Sequence, residues 1–314
     1  MALYDVPAPA KINLFLHVVG RRADGYHFLQ TAFRFVDLND YLSFIPRDDG
    51  RICRAYSTLV DVDPEQDLVV RAARALQQAT GTRKGVDISC VKNIPSGAGM
   101  GGGSSDAATT LIALNRLWSL GLSRQALMDI ALPLGADVPV FVFGQAAFAQ
   151  GIGEQLQAIA LPERDYVIIR PPQFISTAEI FTSKDLTRDE EPITMTFFAD
   201  WQERFWQAER NVSLFGKNNL ETVAFGLYPN LLRLKNNLHS SGISARMTGS
   251  GSCLFVECRK TENKREATIC QNKILQISSK EHHAGSAANS DDSLVKQTWV
   301  CSGLQNHPLR YWID

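Results

Sequence analysis

The sequence predicts a protein of the α+β or α/β class that consists of two halves. Strand patterns and helix patterns alternate along its 314 residues, and an apolar fraction of 45% suffices for packed cores. A break that contains proline, near 161–163 or 171–172, separates the halves. We therefore expect one domain over residues 1–160 and a second over residues 161–314.

The first half combines segments of period two, which predict strands, with segments of helical period. The predicted strands are 12–18, 33–42, 86–91 and 140–143. The predicted helices are 71–79, a helix that carries Ala107, Leu111, Leu114 and Trp118 at helical spacing, and a helix that begins at Ser123.

The second half begins with an apolar strand over 166–169 and contains another over 253–256. Its predicted helices are 201–210, 219–225 and 230–240. The segment 259–296 is long and polar. Within it, residues 278–293 have too few apolar side chains to bury a core, so we expect a mobile excursion there.

The most informative segment runs from Ile94 to Asp106, where five of the seven residues 97–103 are glycine. It leads from a strand into a helix, whose first N–H groups are free to bind an anion such as a triphosphate. A flexible linker is the other interpretation of a bare glycine run. The loop lacks the lysine of a Walker A motif, and the βαβ unit with an acidic strand end that a dinucleotide loop requires does not follow.

Two polar side chains begin the first strand. The predicted apolar face of this strand is formed by Ile12, Leu14, Leu16 and Val18. Because alternate residues of a strand point to opposite faces, Lys11 and Asn13 share the other face. The pattern alone favours a solvated face for this pair.

Two later turns carry polar residues next to apolar runs. Asp137 precedes Val138 and Pro139, and an aspartate at such a position can simply shape the turn. Gly249 and Ser250 precede the apolar strand over 253–256, which is typical of a tight turn into a buried strand. From the residues alone, both turns are compatible with a purely structural role.

Taken together, these segments resemble the GHMP kinases, the family of galactokinase, homoserine kinase and mevalonate kinase. The phosphate loop of that family has the pattern Pro-x-x-x-Gly-Leu-Gly-Ser-Ser-x-Ala, and Met100 stands here in place of the leucine. The glycine-extended loop, the turn Asp24 to His27 and the segment Gly135 to Pro139 resemble one branch of the family. That branch phosphorylates 4-diphosphocytidyl-2-C-methyl-D-erythritol in the non-mevalonate isoprenoid pathway, and the resemblance covers nearly the whole chain.

The resemblance implies an α+β fold of two domains, with an N-terminal half like ribosomal protein S5 domain 2 and a ferredoxin-like C-terminal half. The active site would lie in the cleft between them. ATP would be the phosphoryl donor, with Mg²⁺. The nucleotide-binding residues that the resemblance implies are Pro95, Ser96, Gly97, Ala98, Gly99, Met100, Gly101, Gly102, Gly103, Ser104 and Ser105.

The resemblance also assigns catalytic roles to Lys11 and Asp137. Asp137 would accept or orient the proton of the acceptor hydroxyl, and Lys11 would stabilise the charge on this carboxylate and on the phosphate. Either Ser104 or Ser105 could supply a hydroxyl ligand to Mg²⁺, and the sequence does not choose between them.

The substrate-binding residues that the resemblance implies are Asn13, Tyr26, His27, Phe181, Gly249 and Ser250. A tyrosine ring can stack on cytosine, and imidazole nitrogens can meet its polar edge. Phe181 would close the other face of the base, although core packing is the usual role of a single phenylalanine in such a region.

Two other functions stay open. Another kinase of this family, acting on a different small alcohol, would not need the turn with Tyr26 and His27. A ligand sensor could keep the fold without catalysis, but the presence of Lys11 and Asp137 argues against it. Asp67 stands where related sequences often carry asparagine beside the adenosine, which puts an adenosine role for Asp67 in doubt.

Composition limits the partners. The formal charge is −1 with evenly spread charged residues, which argues against nucleic acid or a membrane surface and leaves a small-molecule substrate. The six cysteines lack metal or disulfide spacing, and no apolar run approaches the length of a membrane span, so we expect a cytoplasmic protein. His282 and His283 form at best a weak metal motif, and the choice between monomer and homodimer is open.

Overall fold

A computed structural model describes residues 1–58, 62–206, 214–284 and 293–313, without the side chains of 202–206 and 279–284. Strands and helices alternate along these residues, which confirms the predicted mixed class. The strands are β1 (Leu3–Arg21), β2 (His27–Arg47), β3 (Ile52–Ser57), β4 (Gly85–Val91), β5 (Ala147–Gln150), β6 (Gln155–Ala158), β7 (Arg164–Arg170), β8 (Arg246–Met247), β9 (Leu254–Arg259) and β10 (Gln297–Leu304). The helices are α1 (Leu68–Thr80), α2 (Gly102–Leu117), α3 (Arg124–Ala131), α4 (Val138–Phe143), α5 (Thr177–Thr182), α6 (Met195–Trp206), α7 (Leu220–Leu227), α8 (Pro229–Ser240) and α9 (Arg265–Ala284).

The described strands form a mixed sheet whose main path is β3-β4-β2-β10-β7-β9-β8. The long antiparallel hairpin of β1 and β2 dominates the first half, and β5 and β6 extend it from β2. Strand β10 pairs with β7 along its length and with β2 at Gly303 and Leu304. The C-terminal strand therefore connects the strands of the two halves, and the predicted boundary at residue 160 falls between β6 and β7.

The two largest hydrophobic cores of the described residues lie mostly in different halves, and a third core contains residues of both, such as Ile12 and Ile168. The larger one packs α1, α2, α3 and α4 against the sheet around β2 and β4, and the predicted inward residues Leu111, Leu114 and Trp118 of α2 are buried in it. A second core packs α7, α8 and α9 against β7 and β9. Burial of one face of each helix supplies the main stabilisation of both layers.

Residues 140–143, predicted as a strand, are the end of helix α4, so that prediction was wrong. The run is almost entirely buried, and a short buried run has no period that separates helix from strand. Its flanks fit a helix, because Pro139 lies in the first turn and Gly144 ends it at a φ of 74°. The other predicted elements are present, although the helix predicted over 201–210 already begins at Met195 and its residues 207–210 lie outside the described residues.

Helix α9 occupies much of the segment 259–296, in which the sequence analysis found only a polar excursion. It packs on the second core through residues at helical spacing, namely Ala267, Cys270, Ile274 and Ile277. The helix continues to Ala284, inside the range 278–293 that was predicted to be mobile, while 285–292 lie outside the described residues. Mobility of this range stays a prediction, and the side chains of His282 and His283 are not described.

Candidate active site

Strand β1 carries a bulge next to the predicted lysine. Its pairing with β2 shifts between Asn13 and Leu16, so Leu14 and Phe15 together oppose a single residue of β2. Because the bulge adds one residue, the alternation of faces shifts after it. Leu16 therefore turns to the face of Lys11 and Asn13 and lines the same cavity as they do. The prediction that Leu16 shares the face of Ile12 was therefore wrong, and the bulge explains why.

The face that carries Lys11 is buried rather than solvated. The Lys11 side chain is 3% exposed, and its Nζ donates a hydrogen bond to Asn13 Oδ1 at 2.6 Å. Asn13 Nδ2 in turn donates to Thr31 Oγ1 at 2.9 Å. The Lys11 Nζ also lies 3.2 Å from Asp137 Oδ2, on a side chain that is 37% exposed. A buried ammonium with two polar acceptors has a fixed position, so it holds the more exposed carboxylate in place.

Two cavities meet at this carboxylate. The hairpin cavity, of about 580 Å³, lies against β1 and β2 and is lined by Lys11, Asn13, Leu16, Tyr26, His27, Phe181, Gly249 and Ser250, among others. The loop cavity, of about 520 Å³, is lined by the glycine loop from Pro95 to Ser104 together with Asp67, Lys92, Asp106 and Phe174. Ser104, Asp137 and Thr177 line both cavities. The structure thus brings the predicted catalytic residues to the junction of two ligand-sized spaces.

The glycine loop presents its backbone to the loop cavity. Gly99 has a φ of 72°, and a Cβ there would lie 2.0 Å from the carbonyl oxygen of Thr248, so a side chain does not fit. Gly101, with a φ of 70°, precedes helix α2, and no described side chain caps that terminus. The first N–H groups of α2 are therefore available to an anion.

Two residues of the predicted loop turn away from the cavity. Met100 is buried in a cluster with Ile94 and Ala98, and its side chain does not line the loop cavity. The hydroxyl of Ser105 donates a hydrogen bond to the carbonyl oxygen of Pro9 at 2.7 Å. Of the two candidate serines, Ser104 is therefore the one that faces the junction of the cavities.

The far end of the hairpin cavity is aromatic. Tyr26 is 59% exposed, whereas His27 is buried and its ring centroid lies 5.2 Å from that of Phe181. The Nε of Arg188 donates a hydrogen bond to His27 Nε2 at 3.0 Å. Burial lowers the pKa of His27, and the positive charges of Arg188 and Arg21 lower it further. His27 is therefore held in its neutral form, between the ring of Phe181 and the guanidinium of Arg188.

The turn with Gly249 and Ser250 is held from two sides. Asn218 Nδ2 donates to the carbonyl oxygens of Met247 and Gly249, each at 2.8 Å. The Ser250 hydroxyl lies 2.7 Å from that of Thr177. Sequence reasoning did not assign Asn218 or Thr177 to the site, because both depend on partners far away in the chain and carry no local motif.

Asp67 lines the loop cavity but has structural partners of its own. Its Oδ1 accepts the N–H of Val69 at 3.1 Å, which caps helix α1. Its Oδ2 lies 3.0 Å from Arg54 Nη1. These contacts account for an aspartate at this position without an adenosine.

A buried charge cluster lies in the loop cavity. Lys92 Nζ bonds to the carboxylates of both Asp40 and Asp106. Burial raises the pKa of Asp106 to about 7, and the neighbouring charge of Asp40 adds to the rise while Lys92 opposes it. The cluster therefore holds a carboxyl group that titrates near neutral pH.

Comparisons with known proteins agree with this geometry. Residues 67–145 match the model of the GHMP kinases N-terminal domain, and residues 205–275 match that of the GHMP kinases C-terminal domain. The 4-diphosphocytidyl-2-C-methyl-D-erythritol kinase of Bordetella parapertussis is 53% identical over 313 residues, which span 100% of this chain and 99% of that protein. The chain belongs to the GHMP kinase family.

Other proteins similar to this GHMP kinase have the same name as the Bordetella relative. The 4-diphosphocytidyl-2-C-methyl-D-erythritol kinase of Cupriavidus taiwanensis is 55% identical over 253 residues, 81% of this chain and 84% of that protein. A crystal structure of 4-(cytidine 5'-diphospho)-2C-methyl-D-erythritol kinase, 30% identical, gives a TM-score of 0.71 and covers 96% of this chain and 99% of that chain. The predicted resemblance and the two-domain GHMP kinase fold are thus confirmed, and family membership implies ATP as the phosphoryl donor.

Across the described ranges, no helix is both long enough and apolar enough to cross a membrane. No three His, Cys, Asp or Glu side chains come together there as a metal site.

Proposed function

We propose that this GHMP kinase transfers the γ-phosphoryl group of ATP to the 2-hydroxyl of 4-diphosphocytidyl-2-C-methyl-D-erythritol, giving the 2-phosphate and ADP in the non-mevalonate isoprenoid pathway. The observation that carries the proposal is the place of Asp137, at the junction of two cavities and 3.2 Å from the Nζ of Lys11. Relatives named for this kinase that match the full chain support it. We also propose a cytoplasmic location, because the cysteine spacing suits reduced thiols.

The two cavities suit the two substrates. The loop cavity offers backbone N–H groups and the positive end of the α2 dipole, both of which stabilise a triphosphate. The hairpin cavity, of about 580 Å³, has an aromatic end for a base and a polar end at Lys11 for the reacting alcohol. The hydroxyl and the γ-phosphate would then meet beside Asp137.

The reaction needs alignment and charge stabilisation more than covalent chemistry. The acceptor oxygen forms a bond to the γ-phosphorus, the bond to the bridging oxygen breaks, and ADP leaves with the electron pair. Asp137 holds the hydroxyl and receives its proton. Lys11, fixed by Asn13, orients that carboxylate and offsets the negative charge on the transferred group.

Mg²⁺ is part of the proposal as the companion of ATP. The residues at the junction fit such an ion, because the Ser104 hydroxyl and the Asp137 carboxylate offer the oxygen ligands that Mg²⁺ prefers. When bound, Mg²⁺ would neutralise part of the charge of the phosphates.

The base end is the part of the proposal that sets the acceptor. Tyr26, largely exposed, can stack on one face of cytosine, and Phe181, which lies beside His27, lines the same cavity. A kinase for a small alcohol without a base would have no use for this end.

The decisive experiment follows ³¹P NMR signals while the purified protein turns over ATP with Mg²⁺ and 4-diphosphocytidyl-2-C-methyl-D-erythritol. We expect a new phosphate monoester on the 2-hydroxyl, and a far slower appearance of that signal with the Asp137→Asn variant. If ATP binds but no monoester forms, the proposal fails, and homoserine and mevalonate are the next acceptors to try.

A further inference from the structure

An arginine that does not line the hairpin cavity organises its base end. Arg188 lies between α5 and α6, and its Nε donates to His27 Nε2 at 3.0 Å. Its two terminal nitrogens donate to the carbonyl oxygens of Leu186 at 3.0 Å, Phe181 at 3.2 Å and Ser183 at 2.6 Å. One guanidinium therefore ties the imidazole to the end of the helix that carries Phe181.

We propose that Arg188 is a positioning residue that fixes which nitrogen of His27 carries the proton, and that it thereby makes the site select cytosine over uracil. This inference rests on the proposed function, because it concerns the base of the proposed acceptor.

The guanidinium of Arg188 decides which nitrogen of His27 carries the proton. Arginine has only donors, so the ring nitrogen that faces it must accept and carries no proton. That nitrogen is Nε2. A neutral imidazole then has its proton on Nδ1, and His27 is neutral near pH 7 because burial and the charges of Arg188 and Arg21 lower its pKa.

The Nδ1 of His27 is free to bind a ligand. His27 lines the hairpin cavity, and its ring lies beside Phe181 at an interplanar angle of 32°. Within the described parts of the chain, Arg188 is the one hydrogen-bond partner of this ring. The Nδ1–H is thus a donor without a protein partner, at the wall where a base would lie.

Cytosine and uracil differ at the ring nitrogen N3. At N3, cytosine has a lone pair, whereas uracil has a hydrogen. A fixed Nδ1–H on His27 donates a hydrogen bond to N3 of cytosine. Against uracil, the same Nδ1–H faces the N3–H, so two donors oppose each other in a site without water. A histidine without Arg188 could move its proton to Nε2 and accept from uracil. Arg188 removes that freedom without touching the substrate.

The test compares kcat/KM for the cytidine acceptor and for its uridine counterpart in full-length protein. We expect the wild type to prefer the cytidine form by roughly ten-fold to a hundred-fold, the size of one mismatched buried hydrogen bond. Arg188→Met should lose most of this preference, whereas Arg188→Lys, which also has only donors, should retain it in part. Arg51→Met is the matched control, since Arg51 is exposed and pairs with Asp49, and the KM for ATP should stay unchanged throughout.

A merely structural role for Arg188 predicts a different result. If Arg188→Met lowers kcat/KM equally for both acceptors and the preference persists, the proposal is wrong.

A second measurement uses the wild-type protein alone, so it needs no substrate and does not depend on whether the Arg188 variants fold. ¹⁵N NMR of the ligand-free wild type should show the proton of His27 on Nδ1 and a bare Nε2. A proton on Nε2 would overturn the proposal. If the wild type phosphorylates neither acceptor, the proposed function fails, and the NMR result still decides whether Arg188 fixes the tautomer.

Discussion

The loop cavity and the hairpin cavity are built by different means. One wall of the loop cavity is main chain, namely the glycine loop and the uncapped start of α2, while side chains such as Asp67, Lys92 and Phe174 line the rest. The hairpin cavity presents side chains from segments far apart in the chain, such as Lys11 on β1, Asp137 before α4 and Phe181 on α5. A site made of backbone depends on the conformation of the chain, whereas a site made of side chains depends on the identity of each residue.

The largest expected effect is at the junction. Asp137→Asn should reduce turnover by roughly a hundred-fold or more, because the positioned base is lost, while the affinity for ATP stays nearly the same. Steady-state kinetics and nucleotide titration measure the two quantities. Asp129→Asn, on a solvent-facing part of α3, is the control. Near-normal turnover in Asp137→Asn would remove this carboxylate from the mechanism.

A backbone change should affect the nucleotide instead. Gly99→Ala places a Cβ 2.0 Å from the Thr248 carbonyl oxygen at a φ of 72°, so the loop must move, and we expect the KM for ATP to rise roughly ten-fold. Gly121→Ala is a matched control, because Gly121 has a φ of 67° but nothing within 4 Å of its Cβ position. If both variants behave alike, the contact with Thr248 has no special role.

Stacking should affect only the acceptor. Tyr26→Ala should raise the acceptor KM roughly ten-fold without a similar change for ATP, since stacking of a base on an aromatic ring contributes about 1–3 kcal/mol. Tyr311→Ala, at an 83% exposed tyrosine, serves as the control in the same assay. Equal shifts for both substrates would mean that the Tyr26 ring is structural.

The smallest expected effect is on the stability of the protein, through the carboxyl group of Asp106 in the loop cavity. The native state keeps the proton of Asp106 up to about pH 7, whereas the unfolded chain releases it near the ordinary value of 3.8. The free energy of unfolding should therefore fall as pH rises through this window, by linkage. Asp106→Asn should flatten that part of a Tm profile against pH, and Asp129→Asn should not. An unchanged slope in Asp106→Asn would show that the proton resides elsewhere in the cluster.

The same contrast explains what the sequence could predict. The loop and helix α2 were predicted because glycine spacing and helical period are contiguous signals. The structure departs from the prediction where Met100 and Ser105 turn inward, and it begins the helix at Gly102. The hairpin cavity was predicted through resemblance rather than pattern. No periodic pattern in the sequence marks the bulge at Leu14 and Phe15. The contact of Arg188 with His27 joins distant segments, so no local motif marks it either. Burial alone did not separate helix from strand at 140–143.

The wall that Ser104, Asp137 and Thr177 share also has a consequence for inhibitor design. One compound that joins an adenosine-like group to a cytosine-like group could fill both cavities, with a linker that passes Asp137. Because the second group would bind at a high effective concentration once the first is seated, such a bisubstrate compound should bind more tightly than either part. In the proposed complex this linker takes the place of the ATP phosphates, the methylerythritol and its diphosphate, so it must be long enough to span all of them.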